Sequence, residues 1–277
     1  MPTIRVNGTD AYYRDQGARP GVVMVHSSSS ASGQWRALIE RLQDRFRCLA
    51  PDLLGYGRTG SWDGSDLYAD EQAIIEALID LAAEPVHLVG HSYGAMLAAL
   101  TTLARPAAVR TLTLIEPTMF TLLRDAGDGS DFAEIEAVAD RTTELSEAGE
   151  NEAAARAFLD YWVAPGAFDG LPDQSRATVA ATMPKQRREW PFRQQFDLPR
   201  LDDLRAIACP ILVVRADATT LAASRVVDLI LPVLPNVDFA EIQGAGHMSP
   251  VTHPDKVNPV VEGFLVRHAG EGTYSGE

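Results

Sequence analysis

The run Val86-His87-Leu88-Val89-Gly90-His91-Ser92-Tyr93-Gly94-Ala95-Met96 constrains this chain more than any other part of it. A short apolar segment suited to a buried strand leads into Gly-x-Ser-x-Gly, and a helix rich in small residues is expected to follow over 93–104. A strand that turns abruptly into a helix strains the residue between them and lifts its side chain clear of the sheet. Such a turn demands small residues two positions to either side. Gly90 and Gly94 meet that demand, which makes Ser92 the candidate nucleophile. The turn also puts the Tyr93 backbone N–H in the first turn of a helix, where it lacks an intrahelical acceptor and can serve a developing oxyanion.

The segments around this turn alternate. A hairpin is expected at 4–6 and 11–14, with Asn7-Gly8 supplying residues that tolerate a tight turn. Then come a strand at 22–25, a helix at 34–44, a strand at 46–50, a helix at 67–82, the strand at 86–89 and a further strand at 112–115. The strands read as continuous apolar runs, the pattern of parallel strands covered on both faces. Strand and helix alternating in this way predict a mostly parallel sheet flanked by helices, the α/β class.

From about 118 to 205 the strands stop, and helices are expected at 131–148, 150–163 and 172–188. Alternation resumes with a strand at 210–214, a helix at 222–231, a strand at 237–242 and a helix at 255–268. The reading is therefore a core made of residues 1–117 and 206–270, an all-helical cap over 118–205 inserted after the sixth strand, and a polar tail over 271–277. The aromatic and apolar residues of the insert, Phe196 among them, mostly supply its own core, and a minority should line a pocket beneath it.

A serine hydroxyl near neutral pH needs a base to take its proton and return it to the leaving group. His247, in Gly244-Ala245-Gly246-His247 after the last strand, is the candidate. His26, His87 and His91 sit in motif loops or a buried strand, where structural roles are expected, and His253 and His268 lack a catalytic context.

Four stretches together resemble the α/β-hydrolase family over nearly the whole chain: Val25-His26-Ser27-Ser28 followed by Trp35, Pro51-Asp52-Leu53-Leu54-Gly55-Tyr56-Gly57, Gly90 to Gly94, and Gly244 to His247. The resemblance implies that Ser28 contributes a second oxyanion N–H, although Ser27 stands where the family usually has glycine. In most of the family the triad's acid follows the strand represented here by 211–214, and counting along the chain puts Thr219 at that place. Threonine carries no charge. Asp217 is near but out of step, whereas Glu116 ends the preceding strand, from which some members take their acid. Glu116 is the preferred acid and Asp217 the alternative. Candidate substrate contacts are His26, Ser27, Trp35, Met119, Phe120, Phe158, Trp162 and Met248.

The expectation is a serine hydrolase acting on a small or medium apolar ester, thioester or lactone. Carbon–carbon bond hydrolysis, acyl transfer, perhydrolysis and lyase chemistry are rivals on the same residues. A receptor or degenerate enzyme that keeps the pocket is a rival of another class. Composition narrows the partners: the net charge is −14 and the basic residues form no stripe, which argues against nucleic acid. No run approaches the ~20 apolar residues of a membrane span. No phosphate-cradling glycine pattern or metal spacing occurs, so no cofactor is expected. Cys48 and Cys209 read as core residues whose pairing stays open. A cytoplasmic monomer or homodimer acting on a small molecule is the resulting expectation.

Overall fold

The computed structural model describes residues 2–61, 66–126, 129–190, 192 and 199–270. Phe196 and the expected tail over 271–277 lie outside the described residues. Eight strands form one sheet in the order β1-β2-β4-β3-β5-β6-β7-β8: β1 (Thr3–Val6), β2 (Thr9–Gln16), β3 (Gly21–Val25), β4 (Arg47–Pro51), β5 (Val86–His91), β6 (Val109–Ile115), β7 (Ile211–Ala216) and β8 (Val237–Ile242). β2 runs antiparallel to both β1 and β4, and every pair from β4 across to β8 is parallel.

Parallel neighbours need long crossovers, and helices supply them. They are α1 (Arg36–Leu42), α2 (Leu67–Ala82), α3 (Tyr93–Ala104), α4 (Thr121–Asp125), α5 (Ser130–Glu147), α6 (Asn151–Trp162), α7 (Asp173–Gln186), α8 (Leu201–Leu204), α9 (Leu221–Ile230), α10 (Ser249–Thr252) and α11 (Pro254–Arg267). α4 to α8 all fall between β6 and β7. The sequence reading anticipated the three long helices of that block but not the single-turn α4, α8 and α10. A helix of four or five residues is too short to show a period of 3.6.

The central strands are buried on both faces, which accounts for their mostly apolar sequences. In β3, Val23 and Val25 join the core that also holds Tyr93, Leu97, Phe158 and Trp162, while Val22 and Met24 join a second core with Trp35, Leu38 and Phe264. Successive side chains point to opposite faces, so a strand covered on both sides is apolar at most positions, and a polar side chain buried there takes a partner, as His87 of β5 does with Thr111 of β6 at 2.8 Å. Cys48 is fully buried in that second core and Cys209 is half-buried; both are free thiols, and burial raises them to about 12 and about 11. Strand order reverses between β3 and β5. Loops leaving the carboxyl ends of two such strands diverge and open a crevice, the usual ligand site of open α/β sheets. The β3 loop carries Ser27 and Ser28, and the β5 turn carries Ser92. Among the described residues, no helix is long and apolar enough to cross a membrane.

Candidate active site

Ser92 links β5 to α3 with φ 56° and ψ −120°, a conformation that L residues rarely adopt. Its neighbours permit it by their lack of a side chain. A Cβ on Gly90 would lie 2.3 Å from the Gly94 carbonyl oxygen, and one on Gly94 would lie 2.4 Å from the Val25 carbonyl oxygen. The Ser92 N–H is pinned to the Ile115 carbonyl at 2.9 Å. Ser28 and Tyr93 line the same cavity as Ser92.

Glu116 follows β6, also at positive φ (51°), and is fully buried. Its carboxylate accepts from the Ala216 N–H at 2.5 Å, from the Thr219 hydroxyl, and from His247 Nδ1 at 3.0 Å. A carboxylate can only accept, so the imidazole proton sits on Nδ1 and leaves Nε2 as an acceptor. The Ser92 hydroxyl lies 2.9 Å from that Nε2 and donates to it. Ser92, His247 and Glu116 thus form one unbroken hydrogen-bonded chain, and all three are buried. Thr219, the uncharged residue at the expected acid position, donates its hydroxyl to the Glu116 carboxylate.

Asp217 is placed elsewhere. Its Oδ1 accepts from the N–H groups of Gly244 and Ala245 at 2.7 and 3.3 Å, and so it anchors the loop that carries His247. His91 Nε2 donates to the His247 carbonyl at 2.9 Å, fixing the other end of that loop. The Trp162 ring, at the end of α6, lies against the His247 imidazole with centroids 4.2 Å apart and planes at 34°.

The cavity beside Ser92 has a volume of about 150 Å³. Five of the eight expected substrate contacts line it: Ser27, Phe120, Phe158, Trp162 and Met248. The other three are corrected. His26 is buried and tied at both nitrogens, donating from Nδ1 to the Ser27 carbonyl at 2.7 Å and accepting the Leu53 N–H at Nε2 at 3.0 Å. Trp35 ends a short 3-10 turn and packs into the core on the opposite face of the sheet. Met119 packs into the larger core, leaving its neighbours Thr118 and Phe120 at the cavity wall. Trp190, one of the insert's aromatic residues of which a minority was expected at the pocket, lines the cavity too, as do Gln186 and Glu189, which were not anticipated. Their spacing at i, i+3 and i+4 is a one-face helical signal, but two of the three are polar and read as a solvated end.

Burial lowers the other motif histidines well below 6.5: His26 to about 4, and His87 and His91 to about 3. Each folded value is depressed, so the stability each contributes is complete above 6.5 and is lost as pH falls through the folded value. The thermal midpoint is expected to fall as pH drops from 6.5 towards 4. His87→Asn, near the amino end of the strand whose carboxyl end leads into Ser92, should flatten that slope. Calorimetry across this range checks it, and an unchanged midpoint contradicts it.

Comparison with known proteins agrees with this architecture. The chain is 28% identical over 182 residues to a haloalkane dehalogenase of Bradyrhizobium diazoefficiens, covering 65% of this chain but only 54% of that protein. It is 24% identical to a putative carbamate hydrolase, RutD, of Azorhizobium caulinodans, across 95% of this chain and 98% of that one. The enol-lactonase of Burkholderia xenovorans LB400 shares the fold with a TM-score of 0.76 at 19% identity, covering 96% of this chain and all of that one. A family model described as the alpha/beta hydrolase family matches residues 22–260. This chain belongs to the alpha/beta hydrolase family.

Proposed function

We propose that the protein cleaves an ester-type bond, a carboxylester, thioester or lactone, of a small and largely apolar substrate through an acyl-enzyme on Ser92. The observation that carries this reading is the chain Ser92 Oγ to His247 Nε2 at 2.9 Å and His247 Nδ1 to Glu116 at 3.0 Å, beside a cavity. As Ser92 attacks the carbonyl carbon, its proton passes to His247 Nε2. Glu116 holds the Nδ1–H and offsets the imidazolium charge. The N–H groups of Tyr93 and Ser28 receive the oxyanion, the leaving group departs with the proton from His247, and water repeats the sequence on the acyl-enzyme. The helical insert between β6 and β7 serves as the lid.

The nucleophile's identity separates the chemistries named for its relatives. Displacing a halide or opening an epoxide with a serine oxygen would leave an ether on the protein, with no carbonyl for water to attack. A carbamate or an enol-lactone presents an acyl carbonyl, which this arrangement can release. Haloalkane and epoxide turnover is therefore not expected here. A fluorophosphonate probe is expected to label the folded protein at one equivalent, and Ser92→Ala to abolish the labelling; a folded, unlabelled protein would overturn the reading. A panel of carboxylesters, thioesters and lactones then ranks the bond types.

A further inference from the structure

Away from Ser92 and the serine loop Ser27 to Ser30, the cavity wall is formed largely by apolar residues such as Met96, Phe158, Trp162 and Trp190, and Gln186 and Glu189 interrupt it. Gln186 closes α7 and Glu189 follows one turn later; both line the cavity and both are almost wholly buried, 2% and 3% exposed. In each, one buried oxygen, Gln186 Oε1 and Glu189 Oε2, has no hydrogen-bond partner among the described residues. Buried acceptors without partners are rare in folded proteins and call for an explanation.

The two oxygens of Glu189 are not equivalent. The Tyr56 hydroxyl donates to Oε1 at 2.9 Å, and the Lys185 ammonium pairs with the same oxygen. Lys185 also lies 2.9 Å from Glu71 Oε1 and 4.0 Å from the Tyr56 ring centroid, while the Tyr93 hydroxyl donates to Glu71 Oε2 at 2.5 Å. The core thus saturates Oε1 and leaves Oε2 over. Charge decides what Oε2 can take. Lys185 pairs with Glu189 and lies 2.9 Å from Glu71, and burial raises the Glu71 carboxyl above the usual carboxylate range. A second cation here would also face Lys185.

Resting on the acyl-hydrolase reading above, we infer that the substrate group entering this cavity carries a neutral hydrogen-bond donor, a hydroxyl, and that Glu189 Oε2 receives it with Gln186 alongside. A volume of about 150 Å³ suits a compact group of roughly one benzene ring's size. Glu189 is then a specificity-determining residue of the cavity that Ser92 also lines.

The test compares nitrophenyl esters whose acyl chains, over a series of lengths, end in a secondary alcohol, in the isosteric ketone, or in an ammonium group. The alcohol donates, whereas the ketone only accepts. For the best chain length, the wild type is expected to favour alcohol over ketone by about tenfold or more in kcat/KM, with the ammonium ester below both. In Glu189→Gln, Tyr56 and Lys185 hold the amide oxygen where Oε1 was, and the amide N–H₂ replaces Oε2. The alcohol-to-ketone ratio is therefore expected to fall to about one or to reverse.

Equal use of alcohol and ketone by the wild type at every length, an ammonium preference, or an unchanged ratio in Glu189→Gln would overturn the inference. The corresponding methyl esters, titrated into Ser92→Ala by calorimetry, give the same ratios as affinities without any turnover. If no ester is hydrolysed but the alcohol still binds about tenfold tighter, the acyl-enzyme reading fails and this one stands.

Discussion

Ser92→Ala is expected to lower kcat for the best ester by about six orders of magnitude, with KM little changed. The size of the effect follows from how the three residues are joined. Ser92 Oγ is the atom that would bond to the substrate, and once it is gone His247 and Glu116 have no proton to move. What survives is the binding and oxyanion contribution, a residual of roughly 10³–10⁴ over water. Folding should be spared. Alanine keeps the Cβ that already sits at φ 56°, and the N–H bond to Ile115 is untouched. A midpoint temperature within a few degrees of wild type, beside a kcat reduced to near background, is the expected pair of results. A variant retaining a tenth of the activity would place the nucleophile elsewhere.

Glu116→Gln is the second large effect, about four orders of magnitude in kcat, and its cause is the tautomer. Glu116 Oε1 accepts the Ala216 N–H, which would hold the oxygen of the glutamine amide in that place. The amide N–H₂ then takes the position of Oε2 and donates to His247 Nδ1, where the carboxylate accepted from it. The imidazole proton moves to Nε2, which points at Ser92 and can no longer take its proton. Asp217→Asn keeps an oxygen for the Gly244 and Ala245 N–H groups and is expected to cost less than about tenfold. Steady-state kinetics on one ester decides between them. A mild Glu116→Gln with a severe Asp217→Asn would reverse the assignment.

The fold was legible because its signals are local. Each strand from β3 to β7 is mostly apolar, and the glycines around Ser92 are required within five residues of one another. The pairing of Glu116 with His247 was legible for a different reason: Thr219 cannot carry charge, and the end of the neighbouring strand offered a carboxylate. What local pattern did not carry was the direction of individual side chains in the loops. His26, Trp35 and Met119 belong to the right segments, yet they point into hydrogen bonds or core and away from the cavity. Glu189 and Gln186 were hidden by the opposite error. Polar residues at a helix end read as solvated, and only the approach of Glu71, 118 positions earlier in the chain from Glu189, together with Tyr56, creates a buried site for Lys185 and its partners. Long-range pairing of that kind leaves no periodicity to find.

The central claim is a covalent acyl intermediate on Ser92. It is tested most directly by acid-quenching the wild-type protein during turnover of a bulky, slowly released nitrophenyl ester and mapping the added mass by peptide. The account predicts a burst of nitrophenol equal to the protein concentration and the acyl mass on the peptide containing Ser92, absent from Ser92→Ala. Turnover with no adduct at Ser92, or with the acyl group on another residue, would contradict it.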